Sequence, residues 1–296
     1  MTATAHKRVL SRVLPPPASH LTAKRMPELP EVETTRRGLH PVLAGQRVMQ
    51  AIVRNRDMRV PIPRSLERRI AGARISAVER RAKYLLIVCD RGTLIVHLGM
   101  SGRLWLVDRG TPPATHDHFD LVLESGATVR LRDPRRFGLV LWQEPGAATH
   151  RLLADLGPEP FDPAFTGAYL HAQTRNRSAA IKQVIMDSHV VAGVGNIYAS
   201  EALFRARINP RIAARRIGRD RYDTLVAHIR DTLEDAIRAG GSTLRDYVGS
   251  NGQAGYFQNE HLVYGRGGEP CRECGTKVRE LRQGQRSTFY CPRCQK

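Results

Sequence analysis

Met26-Pro27-Glu28-Leu29-Pro30-Glu31-Val32-Glu33 is the stretch on which the reading of this chain turns. A Met-Pro start is one from which the Met is readily removed. It would leave a proline carrying a free secondary amine. Such an amine is both a base and a nucleophile, and ordinary side chains offer no counterpart. Proline is favoured at the first helical position, and Glu in the first turn suits the positive end of the helix dipole. A helix is therefore expected from Pro27 to Arg37, stopped by Gly38. Glu28 and Glu31 both fall in its first turn.

Downstream the pattern changes. From about Gly45 to Glu144 short β-type runs alternate with turn residues, among them Tyr84–Val88, Leu94–Val96, Phe119–Leu123 and Leu139–Trp142. Several strands at this spacing suggest a sandwich or barrel. Gly146–Pro163 is rich in Gly and Pro and reads as an interdomain connection. Beyond it the period becomes helical over Ala179–Ser188, Ile197–Arg205, Arg221–Ala239 and Thr243–Val248. Asp220 is placed to cap the third of these, and Gly240-Gly241 to end it. Gly249–Gly255 is Gly-rich and polar, as a loop would be.

The balance of charge is strongly basic: 47 Lys and Arg against 28 Asp and Glu, a formal net charge of +19. A polyanionic partner is implied, with nucleic acid ahead of an acidic membrane surface. No apolar run approaches the roughly 18 residues of a membrane span. Residues 1–25 carry Lys7, Arg8, Arg12, Lys24 and Arg25 and no acid, and lack an apolar core, which excludes a secretory signal. A start placed too early is preferred to an organelle transit peptide.

Five cysteines form a reduced, intracellular pattern. Cys271-x2-Cys274-x16-Cys291-x2-Cys294 has the spacing of a four-thiolate zinc site, each pair supplying two ligands from one tight knuckle. Gly284 can turn a hairpin between the pairs, and the metal would hold so small a hairpin together. One structural Zn²⁺ is expected. Arg272, Lys277, Arg279, Arg282, Arg286 and Arg293 surround it and suggest a grip on phosphates. Cys89 lies in an apolar strand and reads as core. Gly193-Val194-Gly195-Asn196 precedes a helical pattern, where backbone N–H groups can approach a phosphate. Standing by itself, that tetrapeptide is an ordinary turn with Asn196 as N-cap.

The opening stretch resembles the amino terminus of the formamidopyrimidine-DNA glycosylases, repair enzymes that attack damaged nucleotides with their first proline. Val194-Gly195-Asn196-Ile197-Tyr198-Ala199-Ser200-Glu201 resembles that family's helix–two-turn–helix signature. Further matches run in order through Arg80–Leu85, His97–Gly102, His116–His118, Asp133–Gly138, Leu156–Pro160, Tyr264–Arg266 and Thr288–Cys291. The resemblance spans residues 26–296 and leaves the first 25 outside it. It implies an α+β chain in three parts. An N-terminal β-sandwich with a leading helix occupies 26–145, a helix–two-turn–helix domain 146–262, and a four-cysteine zinc finger 263–296.

It also implies roles. Pro27 would be the nucleophile, and Glu28 the acid that protonates the sugar ring oxygen. Lys83 and Arg286 would grip phosphate and serve in β- and δ-elimination. Met100, Arg135 and Phe137 match residues that fill the gap left by an everted base; taken without the resemblance, Met100 and Phe137 would be read as core. His116, Lys182, Asn196 and Tyr264 match holders of the phosphate backbone. Where the family usually has Lys, this chain has Ser178, so Arg177 beside it is assigned that contact. The 249–257 loop matches one that closes over oxidised guanine. The expected activity is removal of oxidised purines from double-stranded DNA with strand cleavage, by a monomer in the bacterial cytoplasm. A sister family acting on oxidised pyrimidines and a catalytically dead DNA-binding protein are the alternatives.

Overall fold

The structure, a computed structural model, describes residues 26–108, 110–241 and 261–296. The leader, the helix expected at Thr243–Val248 and the 249–257 loop lie outside the described residues.

The first helix, α1, runs Leu29–Leu43, longer than its expected end at Gly38. Glycine in a helix interior costs about 1 kcal/mol relative to Ala. Just beyond it, Leu39 and Leu43 are completely buried, and each such burial returns about 2 kcal/mol. Packing therefore carries the helix past the glycine, and it ends where Ala44 N–H bonds back to His40 O.

Two antiparallel four-stranded sheets follow, with a short helix, α2 (Leu66–Ile70), between their first strands in the chain. One has the order β1 (Val48–Val53), β6 (Asp117–Leu123), β7 (Thr128–Arg132), β5 (Arg103–Val107). The other has the order β2 (Ile75–Arg81), β3 (Tyr84–Cys89), β4 (Gly92–His97), β8 (Leu139–Gln143). Their inner faces form one core with Val32, Leu39 and Leu43 of α1. The period-2 alternation shows in β4: Leu94 and Val96 point into this core, and Ile95 points out. Ile95 is covered by Leu153 of a short helix, α3 (Arg151–Ala154), inside the stretch expected as a connection. Cys89 sits in the sandwich core, as its apolar setting implied.

The second core is helical, built from α4 (Gly167–Thr174), α5 (Ile181–Ile185), α6 (Asn196–Arg205) and α7 (Arg219–Arg238). α7 buries Tyr222, Leu225, Val226, Ile229, Leu233 and Ala236, one face at helical spacing. Its cap is Gly218, so Asp220 lies in the first turn instead of capping. Gly240 and Gly241, both at positive φ, end it as expected. β9 (Arg279–Gln283) and β10 (Arg286–Tyr290) make the C-terminal hairpin, turned at Gly284 with φ +58°.

The parts are locked together by charge. Arg80 at the end of β2 reaches Glu33 of α1 at 3.1 Å and Glu159 at 2.7 Å. Arg81 reaches the other Glu159 oxygen at 3.0 Å and donates to Leu156 O and Gly157 O. Glu159 also accepts the Ala82 N–H at 2.6 Å. Ala82 stands at φ +54°, a left-handed conformation that costs a non-glycine residue about 1 kcal/mol or more. Glu159 thus fixes the β2–β3 turn that carries Lys83. At the other joint, buried Glu201 of α6 accepts the N–H groups of Leu262, Val263 and Tyr264, tying the hairpin segment to the helices. Glu159→Ala is expected to lower the unfolding free energy by about 2–3 kcal/mol, since it removes the carboxylate shared by two arginines and leaves a turn N–H without its acceptor. Urea unfolding measures this; a loss below about 0.5 kcal/mol would show the joint to be held elsewhere.

Candidate active site and nucleic-acid cleft

The N-termini of α1 and α6 face one another. Leu29 N–H bonds Gly193 O at 3.3 Å, and the Leu29 side chain packs against Gly193. Glu28, the residue before α1, sends its carboxylate across the junction to accept the Ile197 N–H at 3.0 Å. A Cβ at position 195 would lie 2.1 Å from the Glu28 carboxyl carbon, so Gly195 is required by that carboxylate. Asn196, expected as the cap, is the first residue of α6 and follows a Gly195 cap. Glu31 turns back to accept Glu28 N–H at 2.9 Å, and accepts the Tyr198 hydroxyl at 2.6 Å. Both carboxylates are buried.

The charges beside this junction are strained. Burial pushes the Glu28 pKa above the ordinary carboxylate value, against the pull of the Lys83 ammonium and the Ile197 N–H. Burial pushes the Lys83 pKa down; Glu28 opposes this and Arg286 adds to it. Glu28, Lys83 and Arg286 therefore sense one another although they come from α1, the β2–β3 turn and β10.

Above them lies a cleft of about 770 Å³ between the sandwich, the helices and the hairpin. Met26, next to the buried Pro27, forms part of its wall. Met100, Phe137, Lys182, Asn196 and Arg286 line it too, so five of the expected site residues share one cleft. Phe137 is 42% exposed, which excludes the core reading. The loops bearing Met100 and Phe137 are held by Asp133, which accepts Ser101 Oγ–H at 2.7 Å and Gly138 N–H at 2.7 Å. Gly99, at φ +64°, lets them touch: a Cβ there would lie 2.5 Å from the Phe137 backbone. The Arg135 guanidinium sits 4.7 Å from the Phe137 ring centroid.

Lys182 is buried and donates to Ser287 O at 3.0 Å and Thr288 Oγ1 at 2.8 Å. Burial, with Arg286 in support and Glu28 opposed, pushes its pKa down to about 7. Asn196 Nδ2 also donates to Ser287 O, at 3.1 Å, and lies 3.3 Å from the Tyr264 hydroxyl. These two side chains seat β10 on the helices. Arg177 is engaged by Asp187 at 3.0 Å. His116, exposed at φ +73°, lies outside the cleft lining and edge-on to His118.

His97 was missed, although its motif was among those matched. It lines the cleft, lies tilted against the Tyr84 ring with centroids 4.8 Å apart, and accepts Gly99 N–H on Nδ1 at 3.0 Å. Burial, Lys83 and Arg59 push its pKa down to about 4. It is thus neutral at pH 7 with the proton on Nε2, a tautomer set by the Gly99 bond. Nothing in single-sequence spacing marks which histidine of such a chain faces a cleft.

Three family descriptions match the chain in order: the formamidopyrimidine-DNA glycosylase N-terminal domain over residues 26–140, the H2TH domain of the same enzymes over 156–248, and the zinc finger found in FPG and IleRS over 268–296. A formamidopyrimidine-DNA glycosylase of Stutzerimonas stutzeri is 59% identical over 271 residues, which is 92% of this chain and 100% of that one.

The chain belongs to the formamidopyrimidine-DNA glycosylase family.

The crystal structure of MutM (Fpg) from Thermus thermophilus superposes with a TM-score of 0.82 at 40% identity, covering 91% of this chain and 98% of that one. The Lactococcus lactis Fpg in complex with DNA containing an abasic site gives a TM-score of 0.84 at 31% identity, over 91% and 100%. The zinc finger expected of a family member is formed. The four sulfurs of Cys271, Cys274, Cys291 and Cys294 lie within 4.8 Å of one another. Tetrahedral zinc with Zn–S of about 2.3 Å needs S···S edges of about 3.8 Å; Cys274–Cys291 is 3.5 Å and Cys271–Cys294 is 4.0 Å. The donor set fits one structural Zn²⁺, and leaves it no open position. Beneath it, Phe204 of α6 packs with Val278 and Phe289. Cys291→Ser is expected to release zinc, unfold the hairpin and withdraw Arg286 and the Lys182 acceptors from the cleft. Zinc content and hairpin amide protection measured together test this; a protected hairpin without zinc would contradict it.

Proposed function

We propose that this protein is a DNA base-excision glycosylase for oxidised purines, 8-oxoguanine and formamidopyrimidines, that also cleaves the strand at the resulting abasic site. The observation that carries the reading is Glu28: a buried carboxyl of raised pKa, held between two helix N-termini beside Pro27 and under the cleft. The family and the DNA-bound relative support it.

The Pro27 nitrogen attacks C1′ of the damaged nucleotide as a free amine. The C1′–N bond to the base breaks and the base leaves with the electron pair. The raised pKa favours the protonated form of Glu28, which gives its proton to the sugar ring oxygen as the ring opens. A secondary amine then gives a cationic iminium. That sink acidifies C2′; loss of its proton expels the 3′ phosphate, and a second elimination expels the 5′ phosphate. The depressed pKa of Lys83 suits a group that gives up its proton more readily than an ordinary lysine in the first elimination. Arg286 holds the departing phosphate in the second.

The target bond is inaccessible in a duplex, so the nucleotide must leave the stack at a cost of about a few kcal/mol. Met100 and Phe137 wedge into the gap, and Arg135, held over Phe137, addresses the orphaned cytosine. Lys182, Asn196 and Tyr264 at the β10 seat, with His97 Nε2–H, receive the phosphates around the lesion. His116 and Arg177 act further out on the backbone. The protein works as a monomer in the cytoplasm.

In this chemistry the Pro27 nitrogen must be an amine, because an amide lone pair is delocalised and cannot attack C1′. A chain begun at Met26, with the Met removed, is expected to be trapped by borohydride as a covalent adduct on 8-oxoguanine duplexes, and poorly on thymine-glycol duplexes. The full 296-residue chain, verified by mass, is expected to bind but not to trap. Equal trapping of both would remove Pro27 as nucleophile and pass the role to a lysine, Lys83 first.

A further inference from the structure

The segment 209–216, which ends in a 3-10 turn at Ala214–Arg216, meets 177–181 at one antiparallel bridge and shares its backbone bonds. Ala180 bridges Ala213, Ile181 N–H bonds Ile212 O, Ala214 N–H bonds Ala179 O, and Arg215 N–H bonds Arg177 O. The segment carries Arg211, Arg215 and Arg216, all exposed. Nearby arginines are matched with acids: Arg177 with Asp187, Arg205 with Asp235, Arg207 with Glu273. Arg211, Arg215 and Arg216 have no such match among the described residues. The Arg211 guanidinium rests against the Tyr290 hydroxyl of β10 at 3.5 Å.

Such a cluster is unfavourable for the isolated protein: three like charges on one short segment repel. Something in the setting points to what relieves it. The segment borders a shallow hollow of about 470 Å³ lined by Asn209, Arg211, Ile212, Ala213 and Arg216. Two elements join the border of that hollow to the border of the cleft. Lys182 and Gln183 of α5 follow directly on the paired Ile181 and line the cleft. Gln283 at the hairpin tip also lines the cleft, and donates to Pro210 O at 3.3 Å, one residue before Arg211.

We infer that Arg211, Arg215 and Arg216 form a second phosphate-binding surface, which holds the duplex beyond the hairpin tip and outside the lesion cleft. The surface needs only the regular phosphate spacing of DNA, so it takes undamaged and damaged duplex alike. It rests on the reading of the cleft as a DNA site, but it is separable from catalysis. It would let the protein hold undamaged DNA while the cleft is empty, and lengthen the footprint on the helical side.

The test uses undamaged duplexes of two lengths, one spanning the cleft only and one about a helical turn longer. The probe is the slope of log affinity against log salt, whose magnitude falls by about 0.9 for each phosphate that the protein ceases to neutralise. With Arg211→Gln, Arg215→Gln and Arg216→Gln combined, the slope on the long duplex is expected to drop by about 2 to 3, with the slope on the short duplex unchanged. The corresponding triple Lys variant is expected to keep the long-duplex slope. An unchanged slope for the Gln variant overturns the inference, and so does an equal loss in the Lys variant, which would make the effect one of folding. Lesion trapping by the unsubstituted protein reports on the cleft independently, so failure of the glycosylase reading shows there and not in the undamaged-duplex slopes.

Discussion

One carboxylate organises this molecule. Glu28 ends the approach to α1 and accepts the Ile197 N–H at the start of α6, so two helix N-termini converge on a single buried carboxyl. Around that contact the chain makes specific allowances. Gly193 gives room to Leu29, Gly195 gives room to the carboxylate, and Glu31 folds back to satisfy the Glu28 N–H. The sandwich and the helical domain are consequently one unit at the site where chemistry is needed. The cost is a carboxyl with a raised pKa, and that same property makes it useful as an acid.

The remaining joints serve this one. The Glu33–Arg80–Glu159–Arg81 chain of charges holds the β2–β3 turn in a strained conformation and delivers Lys83 to Glu28. Lys182 and Asn196 seat β10 and so deliver Arg286. Zinc keeps β9 and β10 folded, because two strands of this length do not hold themselves. Each group in the proposed reaction is thus positioned by a different part of the fold, and none could act if its joint opened.

Much of this was legible in the residues. The CxxC pairs fix the zinc site by spacing, the shift from period 2 to period 3.6 separates sandwich from helices, and Gly284 and Gly240-Gly241 mark real turns. What was not legible depends on long-range packing. Gly38 reads as a stop until Leu39 and Leu43 are seen to be buried. Glu159 looks like a residue of a Pro-rich connection until two arginines close on it from β2. His97 carries no mark of its tautomer until Gly99 N–H is found on its Nδ1. The Asp187 partner of Arg177 carries no mark in the sequence either.

The proposed chemistry depends on Glu28 keeping its proton where an ordinary carboxylate has lost it. Infrared difference spectra of the protein against Glu28→Gln, followed through pH, read that proton directly from the carboxyl stretch. The expected result is a protonated Glu28 band that persists above pH 4.5, the ordinary glutamate value. A band that vanishes at or below pH 4.5 would contradict this, and would leave Glu28 as a helix-capping charge without a proton to give.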